Sequence, residues 1–245
     1  MKISIITVCF NSSKTIEKTF QSILNQTYTN IEHIVIDGGS SDSTVDIIKK
    51  YKKSIARFVS EPDKGLYDAM NKGIKLASGD IVGILNSDDI YTDKKVLENV
   101  ARFHENNNIE VSFGNIIQLT DYGKIIRRYS AKNWVHDKLK IGFMPPHPSM
   151  FFKRELFEKY GYYHLDFVSG ADYELIVRFF LKNNISCKFS NITTTAMLIG
   201  GISTSGLSSY LMISKEICKA LKKNEIKYNR LKIYLRGFRK LKEIY

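Results

Sequence analysis

Cysteine, proline and tryptophan are scarce in this sequence of 245 residues, which has three, four and one of them. Cys9, Cys187 and Cys218 are far apart and form no Cys-x-x-Cys pair, so neither a disulfide framework nor a thiolate zinc site is indicated. A run of about 18 apolar residues, which a membrane-spanning helix requires, is absent, as is a signal-peptide pattern. We therefore expect a cytoplasmic protein.

Two common phosphate-binding motifs are also missing. Gly-x-Gly-x-x-Gly does not follow the first strand-like segment, and Gly-x-x-x-x-Gly-Lys-Ser/Thr does not occur. These motifs place backbone N–H groups around a pyrophosphate or a triphosphate. The sequence therefore does not favour dinucleotide binding of the usual kind or Walker-type hydrolysis of nucleoside triphosphates.

Positive charge is in excess, with 37 Lys and Arg against 25 Asp and Glu and a net charge of +12. Residues 215–245 contain eleven Lys or Arg and three Glu. Apolar residues recur there at helical spacing, namely Leu231, Tyr234, Phe238, Leu241 and Tyr245. This pattern predicts a basic amphipathic helical tail over 206–245 that docks on an anionic membrane surface, at the inner face of the plasma membrane. Packing in a homo-oligomer or against another partner is the alternative, and a solvated helix is the third.

Strand-like and helix-like segments alternate between residues 3 and 89. This alternation predicts an α/β fold with βαβ units and a mostly parallel central sheet. The predicted strands are 3–10, 31–36, 57–60, 81–85, 111–119 and 124–129. The predicted helices start after Ser12 or Ser13 and at Ser43, and cover 66–77, 94–106, 153–160 and 171–183.

Polar residues follow each of the first four predicted strands. The segments are Asn11, Asp37-Gly38-Gly39-Ser40, Glu61-Pro62-Asp63-Lys64-Gly65 and Asn86-Ser87-Asp88-Asp89. Any one of them alone is equally well explained as a capped turn. Because the carboxyl ends of parallel strands share one edge of a sheet, we expect the four segments to line one ligand-binding hollow. The residues expected around it are Asn11, Asp37, Asp63 and Asp88.

Asp88 and Asp89 form an acidic pair at the end of an apolar strand, with Asn86 nearby. Two like charges in a partly dry cleft raise each other's pKa unless a cation lies between them. Mg²⁺ and Mn²⁺ prefer oxygen ligands, and proteins usually hold them with one or two carboxylates together with substrate phosphates. The pair therefore predicts a divalent metal site that binds a diphosphate.

Five ordered segments carry a pattern that resembles one family. They are Ile5-Ile6-Thr7-Val8 with Asn11, Gln26-Thr27-Tyr28, residues 36–44, residues 61–73 and Leu85-Asn86-Ser87-Asp88-Asp89. Together they resemble family 2 glycosyltransferases of the GT-A fold, a Rossmann-like nucleotide-diphospho-sugar transferase fold with a mixed sheet. The resemblance implies one GT-A domain over 1–205, with a nucleotide-sugar-binding half (1–92) and an acceptor-binding half (93–205), before the tail.

The resemblance also implies a reaction, namely the inverting transfer of one sugar from a nucleotide diphosphate sugar to an acceptor hydroxyl. UDP is the nucleotide that the family prefers, and the expected acceptor is a glycan or a lipid-linked saccharide of the envelope. In such enzymes the residues at Thr7 and Asp37 hold the nucleotide, with Asp37 at its base. Asn11 and Asp63 belong to the same nucleotide-binding edge. Lys64 beside it either adds positive charge for the nucleotide or is an inert surface lysine.

The resemblance also assigns the metal ligands and the general base, each to one further segment. Asn86-Ser87-Asp88-Asp89 resembles the family's Asp-x-Asp metal motif with Asn86 in place of the first acid. This leaves Asp88 as the expected ligand of Mn²⁺ or Mg²⁺, and Asp89 as the second. Residues 170–175 match the segment that carries the general base, which is then Asp172. The Gln-x-x-Arg-Trp signature of processive synthases is absent, which favours one sugar per binding event.

Two features have two interpretations each. His147, within Pro145-Pro146-His147-Pro148-Ser149, is either an acceptor-side residue or a structural histidine. Gly200-Gly201-Ile202-Ser203 is either a lid that closes over the sugar nucleotide or a plain turn.

Two other functions fit part of the pattern. A nucleotidyltransferase would also bind a nucleotide and a metal at strand ends, but would release pyrophosphate. A nucleic-acid-binding protein is suggested by charge alone, and the sequence contains no helix-turn-helix or RNP-like pattern. We therefore expect no nucleic acid partner.

Overall fold

The computed structural model describes residues 1–120, 122–198 and 206–237, and in these ranges nine strands form one sheet. The strands are β1 (Ile3–Cys9), β2 (Ile31–Asp37), β3 (Arg57–Ser60), β4 (Ile81–Ile84), β5 (Asp89–Tyr91), β6 (Val111–Leu119), β7 (Ile125–Tyr129), β8 (Phe151–Lys153) and β9 (Cys187–Leu198). The α-helices are α1 (Ile16–Leu24), α2 (Thr44–Lys50), α3 (Leu66–Leu76), α4 (Val96–Asn107), α5 (Glu155–Tyr160), α6 (Ala171–Val177), α7 (Gly206–Lys223) and α8 (Arg230–Tyr234).

The sheet is mixed, with strand order β3-β2-β1-β4-β8-β6-β9-β5 and with β7 paired to β6. The first four strands in this order are parallel. Strand β8 is antiparallel to both β4 and β6, whereas β6 and β9 are parallel. The carboxyl ends of β1, β2, β3 and β4 therefore lie at one edge, as the sequence predicts.

The sheet has apolar layers on both faces, which explains the continuous apolar sequence of β1. All seven residues of β1 are buried. Ile6 packs in the same cluster as Met70 of α3, whereas Ile3 and Ile5 pack with residues of α4. Full burial of one such side chain stabilises the fold by about 1.5–3 kcal/mol, so the layers hold the strand ends rigidly in place.

The structure differs from the sequence predictions at three helices. No side chain caps α1, which begins at Ile16, and the hydroxyl of Ser12 instead bonds that of Ser87. The helix predicted over 153–160 forms as α5 but begins at Glu155, because Lys153 ends β8. The helix predicted over 171–183 is α-helical only to Val177 and continues as a π-helical segment, Arg178–Lys182.

The described part of the predicted tail packs on the domain. Ile217 and Leu221 of α7 and Ile233 of α8 are buried in the cluster that also contains residues of α6. The predicted apolar face is wrong at Leu231, which is 67% exposed, because the short helix α8 turns Ile233 inward instead. Phe238, Leu241 and Tyr245 lie outside the described residues, as does the segment 200–203. None of the described helices is long and apolar enough to cross a membrane.

Candidate functional site

Asp37 ends β2 and is fully buried at the predicted edge of the sheet. Its carboxylate accepts hydrogen bonds from the backbone N–H groups of Gly39 (3.2 Å) and Ser40 (3.1 Å) and from the hydroxyl of Ser60 (2.7 Å). The hydroxyl of Ser40 also donates to it. These donors stabilise the buried negative charge and fix the shape of the loop after β2.

Asn11 joins the end of β1 to the same loop. It has a positive φ of 50°, which asparagine tolerates better than most residues. Its side-chain oxygen accepts from the N–H of Ser41 at 2.9 Å, and its own N–H donates to Ser40 Oγ at 2.8 Å. The loops after β1 and β2 are therefore interlocked.

Asp63 brings in the loop after β3. A Cβ atom added to Gly38 would lie 2.4 Å from Asp63 Oδ2, so the carboxylate of Asp63 lies directly against Gly38. Asp63 Oδ1 accepts from the N–H of Gly65 at 2.8 Å. The neighbouring Lys64 is exposed, and its backbone N–H donates to Asp68 at 3.0 Å.

The loop after β4 completes the hollow. Ser87 Oγ lies 2.8 Å from Ser12 Oγ, and its N–H donates to Val8 of β1 at 3.3 Å. The structure thus brings the four predicted segments together. Thr7 lies below this surface: it is fully buried, and its hydroxyl is 3.0 Å from His33 Nε2.

The metal-site candidates are Asn86, Asp88 and Asp89. Asp89 is only 1% exposed, and burial together with the charge of Asp88 raises its pKa well above the usual range. The Nδ2 group of Asn86 donates to Asp89 Oδ2 at 3.5 Å, whereas Asn86 Oδ1 is buried and has no hydrogen-bond partner. A bound cation would satisfy this oxygen and relieve the repulsion between the two acids, so these residues fit a hard divalent ion.

The described residues contain no group of three His, Cys, Asp or Glu side chains placed to hold a metal ion. Magnesium and manganese sites with one or two carboxylates are usually completed by water and by substrate phosphate oxygens. The two acids and the free amide oxygen of Asn86 therefore suit a site that forms together with a diphosphate, and do not suit an all-protein cage.

Asp172 stands in the first turn of α6, half-buried. Its Oδ1 accepts from the N–H of Tyr173 at 2.7 Å and from the hydroxyl of Tyr67 at 3.3 Å. Burial raises the pKa of Asp172 to about 6, because desolvation disfavours the carboxylate more than these hydrogen bonds favour it. A carboxylate with such a pKa is ionised at neutral pH and still basic enough to accept a proton.

Tyr67 connects Asp172 to the loop after β3, because it lies in the first turn of α3, directly after the loop that carries Asp63. Its ring stacks on Tyr163 with centroids 5.6 Å apart. The side chain of Asn71 fixes Tyr163 through both its backbone groups. Tyr67 lies inside a segment that carries the resemblance, but helical spacing alone gives it no role.

His147 bonds to Tyr163 of this stacked pair of tyrosines. Its Nε2 is 2.7 Å from the hydroxyl of Tyr163, and burial lowers the pKa of His147 to about 4. The ring is therefore neutral at physiological pH and is hydrogen-bonded inside the protein. Of the two sequence interpretations, this placement fits the structural histidine.

A groove of about 680 Å³ lies away from these residues. It is lined by His136, Lys140 and Cys187, among others, and contains none of the predicted site residues. Cys187 begins β9, which runs in the same direction as β4, so the groove is at the opposite edge of the sheet. The cluster of strand-end loops is therefore distinct from this groove.

Comparison with known proteins identifies a family. Residues 4–161 match the model described as Glycosyl transferase family 2, which ends before Asp172. An uncharacterized glycosyltransferase of Mycobacterium tuberculosis is 34% identical over 187 residues, which is 72% of this chain and 68% of the relative. A UDP-Glc:alpha-D-GlcNAc-diphosphoundecaprenol beta-1,3-glucosyltransferase of Escherichia coli is 39% identical over 114 residues, 46% of this chain and 45% of the relative.

Solved structures share the fold. TarS of S. aureus in complex with UDP-GlcNAc gives a TM-score of 0.71 at 19% identity, over 93% of this chain and 68% of that one. A mannosyltransferase of Pyrobaculum calidifontis in complex with GDP-Man and Mn²⁺ gives a TM-score of 0.66 at 17% identity, over 95% of this chain and 68% of that one. The GT-A fold expected from the sequence is confirmed.

Proposed function

Because this chain belongs to glycosyl transferase family 2 and is a glycosyltransferase, we propose that it transfers one sugar from a nucleoside diphosphate sugar to an acceptor hydroxyl, with inversion at the anomeric carbon. The observation that carries the proposal is the meeting of four strand-end loops, with Asp172 bonded to the helix that follows the third of them. Tyr67 links the two, since it follows the Asp63 loop and donates to Asp172.

The proposed sugar donor is a UDP-sugar. The names of the Escherichia coli relative and of the TarS complex, which include UDP-Glc and UDP-GlcNAc, support this choice. The nucleotide would lie on the loops of Asn11, Asp37 and Asp63, with Lys64 beside its phosphates. Asp37 and the buried Thr7 would act mainly by shaping this surface, since both already have protein partners.

A divalent ion, Mn²⁺ or Mg²⁺, would be held by Asp88 and Asp89 with the free oxygen of Asn86. When bound, it supplies positive charge to the departing diphosphate. The Mn²⁺ in the structure of the similar mannosyltransferase supports the assignment. Without a cation, the buried Asp89 is protonated more readily than an ordinary aspartate, because its pKa is raised.

Asp172 is the proposed general base. Its carboxylate takes the proton from the acceptor hydroxyl as that oxygen bonds to the anomeric carbon and the diphosphate leaves with the bonding electron pair. Burial makes Asp172 a stronger base than an aspartate in water, and the hydroxyl of Tyr67 orients one of its oxygens. The other oxygen is left to face the acceptor.

The proposed acceptor is a lipid-linked saccharide, which the name of the Escherichia coli relative supports. Such an acceptor requires the enzyme to meet a membrane, at the inner face of the plasma membrane. Leu231 and Leu235 of the α8 region are 67% and 45% exposed, and the exposed Arg230 and Lys232 stand beside them. Exposed leucines flanked by cations favour binding to anionic lipid over packing in a homo-oligomer.

The reaction is tested by incubating the protein with UDP-glucose, UDP-GlcNAc or GDP-mannose, Mn²⁺ and a polyprenyl-diphosphate-linked GlcNAc acceptor. We expect release of the nucleoside diphosphate and glycosylation of the acceptor. Release of pyrophosphate would indicate a nucleotidyltransferase instead. Asp172→Asn should keep sugar-donor binding and lose transfer, whereas Asp166→Asn, in the same loop region but bonded to lysines, should keep both.

Membrane binding is tested by sedimentation with vesicles of phosphatidylglycerol or phosphatidylcholine. We expect binding to the anionic vesicles only, and loss of binding when Leu231 and Leu235 are both replaced by serine. Leu24→Ser is the control, because Leu24 is equally exposed but lies on α1. Equal binding of the double variant would rule out this surface.

A further inference from the structure

Glu216 of α7 holds the backbone directly before Asp172. The side chain is 9% exposed. Its Oε1 accepts from the N–H of Val168 at 2.6 Å, and its Oε2 accepts from the N–H of Ser169 at 2.9 Å. Among the described residues, no lysine, arginine or histidine forms an ion pair with it. A buried carboxylate without a cation is costly unless its hydrogen bonds are maintained, so this contact is a fixed feature of the fold.

Gly170 shows how closely α7 approaches this segment. A Cβ atom added to Gly170 would lie 3.1 Å from both the Cβ and Oε2 atoms of Glu216. This is tighter than most contacts of real side chains, so a larger residue would push Glu216 away. The glycine directly before α6 therefore leaves room for the side chain of Glu216.

The far end of α7 is attached to α6 as well. Asn224, directly after α7, donates to Glu174 at 3.0 Å. Glu174 is fully buried and also accepts from Arg178 at 3.0 and 3.1 Å. Helix α7 thus contacts both the segment that precedes α6 and the body of α6, and its contacts lie on both sides of Asp172 in the sequence.

Other α7 residues contact the same loop at the surface. Lys219 and Lys223 pair with Asp166 at 3.0 and 3.1 Å, but all three side chains are well exposed to solvent. Exposed ion pairs are screened by water and salt and fix geometry poorly. Glu216 therefore differs from its neighbours on α7 in being both buried and hydrogen-bonded next to Asp172.

We infer that Glu216 is a positioning residue for the transfer reaction, and that the C-terminal helix α7 is in this way part of the catalytic site. The inference rests on the proposed role of Asp172 as general base. Glu216 does not contact the reacting atoms. It fixes Val168 and Ser169, and through them the first turn of α6 from which Asp172 projects.

The negative charge of Glu216 also acts on Asp172, in addition to the hydrogen bonds that fix the preceding loop. Titratable side chains face Asp172 from three elements: Tyr67 from α3, Tyr163 from the segment before α6, and Glu216 from α7. The negative charge of Glu216 raises the pKa of Asp172, whereas the hydroxyl of Tyr67 lowers it. Glu216→Gln should therefore lower the pKa of Asp172 while it also loosens the loop.

The first test requires no substrate. In protein labelled with ¹³C-aspartate, the carboxyl signal of Asp172 is identified by its absence in Asp172→Asn, and its titration midpoint is measured. We expect a lower midpoint in Glu216→Gln, together with faster amide hydrogen exchange at Val168 and Ser169. Lys222→Met changes an exposed lysine of the same helix and is the control, which should change neither quantity.

The second test is kinetic. With UDP-glucose or UDP-GlcNAc, Glu216→Gln should lower kcat several-fold, with little change in the KM for the nucleotide sugar and with the acid limb of the pH profile at lower pH. If Asp172→Asn itself keeps full activity, the base assignment fails, and the NMR result still decides whether Glu216 controls Asp172. If Asp172→Asn is inactive and Glu216→Gln has wild-type rates and an unmoved midpoint, the positioning role is wrong.

A folding defect is separated from a positioning effect by a second variant. Gly170→Ala keeps Glu216 but displaces it, so it should also increase exchange at Val168 and Ser169 and lower kcat. Both variants should bind UDP with wild-type affinity, because the nucleotide loops are not touched. Wild-type exchange and kcat in Gly170→Ala, or an equal effect of Lys222→Met, would contradict the inference.

Discussion

The hydroxyl of Tyr67 donates a hydrogen bond to Asp172 Oδ1 across 3.3 Å and so joins the first turn of α3 to the first turn of α6. The two residues are 105 positions apart in the sequence. One belongs to the half of the domain that is proposed to bind the nucleotide and the other to the half proposed to bind the acceptor. This single contact therefore joins the two proposed halves of the site.

Replacing Tyr67 by phenylalanine should move the acid limb of the pH–rate profile to higher pH. The phenol hydroxyl favours the ionised form of Asp172, so its loss raises the pKa of that carboxyl above its value of about 6. A hydrogen bond of this kind contributes about 1 kcal/mol to stability, so the fold should survive. The measurement is kcat against pH. Tyr163→Phe removes a hydroxyl that bonds His147 and makes no hydrogen bond to Asp172, so it should leave the limb in place.

Asp172 should reduce the stability of the fold above pH 6. Its pKa is raised from 3.8 to about 6, so the unfolded chain releases this proton first, and stability falls as pH rises between these values. Asp172→Asn should therefore be more stable than the wild type by about 1–3 kcal/mol at pH 8. The gain should disappear at pH 3. Tm measured at both pH values checks this, and an equal gain at both would contradict it.

Replacing Asp88 by alanine should weaken the binding of Mn²⁺ in the presence of UDP by at least about tenfold, because a carboxylate ligand is lost. Titration calorimetry with Mn²⁺ and UDP measures the effect. Asp46→Ala removes an exposed acid of α2 that pairs only with Lys49, and serves as the control. A chelator should abolish transfer in the wild type. Full activity in the chelator would remove the ion from the reaction.

Replacing Gly38 by alanine should weaken sugar-nucleotide binding. The new Cβ would lie 2.4 Å from Asp63 Oδ2, so the Asp63 carboxylate has to move, which disturbs its hydrogen bond with Gly65. A hydrogen bond of this kind contributes about 0.5–1.5 kcal/mol. In an Asp63→Ala background the same change should cost much less, which a double-mutant cycle of UDP affinities measures. Equal losses of UDP affinity in both backgrounds would mean that Gly38 and Asp63 do not interact.

Much of the sheet edge was predictable, because buried parallel strands leave a clear apolar pattern in the sequence. The strands predicted at 57–60 and 111–119 have the observed bounds, and the loops that follow the first four strands meet as expected. Strand β9 was not predicted. Its sequence contains Ser190, Asn191 and a run of threonines, and most of its residues are only partly buried, so periodicity gives no signal.

The surroundings of Asp172 were less predictable than Asp172 itself. Resemblance singles out one residue of a motif, but contacts with Tyr67 and Glu216 depend on how distant elements pack. In the sequence alone, Glu216 is one of three glutamates in a basic tail. Its burial follows from the docking of α7 against α6, which no local pattern records.

The burial of α7 has a practical consequence for chimeric enzymes. Ile217, Ala220 and Leu221 are buried in the same apolar cluster as Leu175 and Ile176 of α6. A segment swap between relatives that divides the chain between these two helices would expose that apolar surface. It would also leave the backbone N–H groups of Val168 and Ser169, close to Asp172, without acceptors. Exchanges at this end of the protein should therefore transplant both helices as one unit.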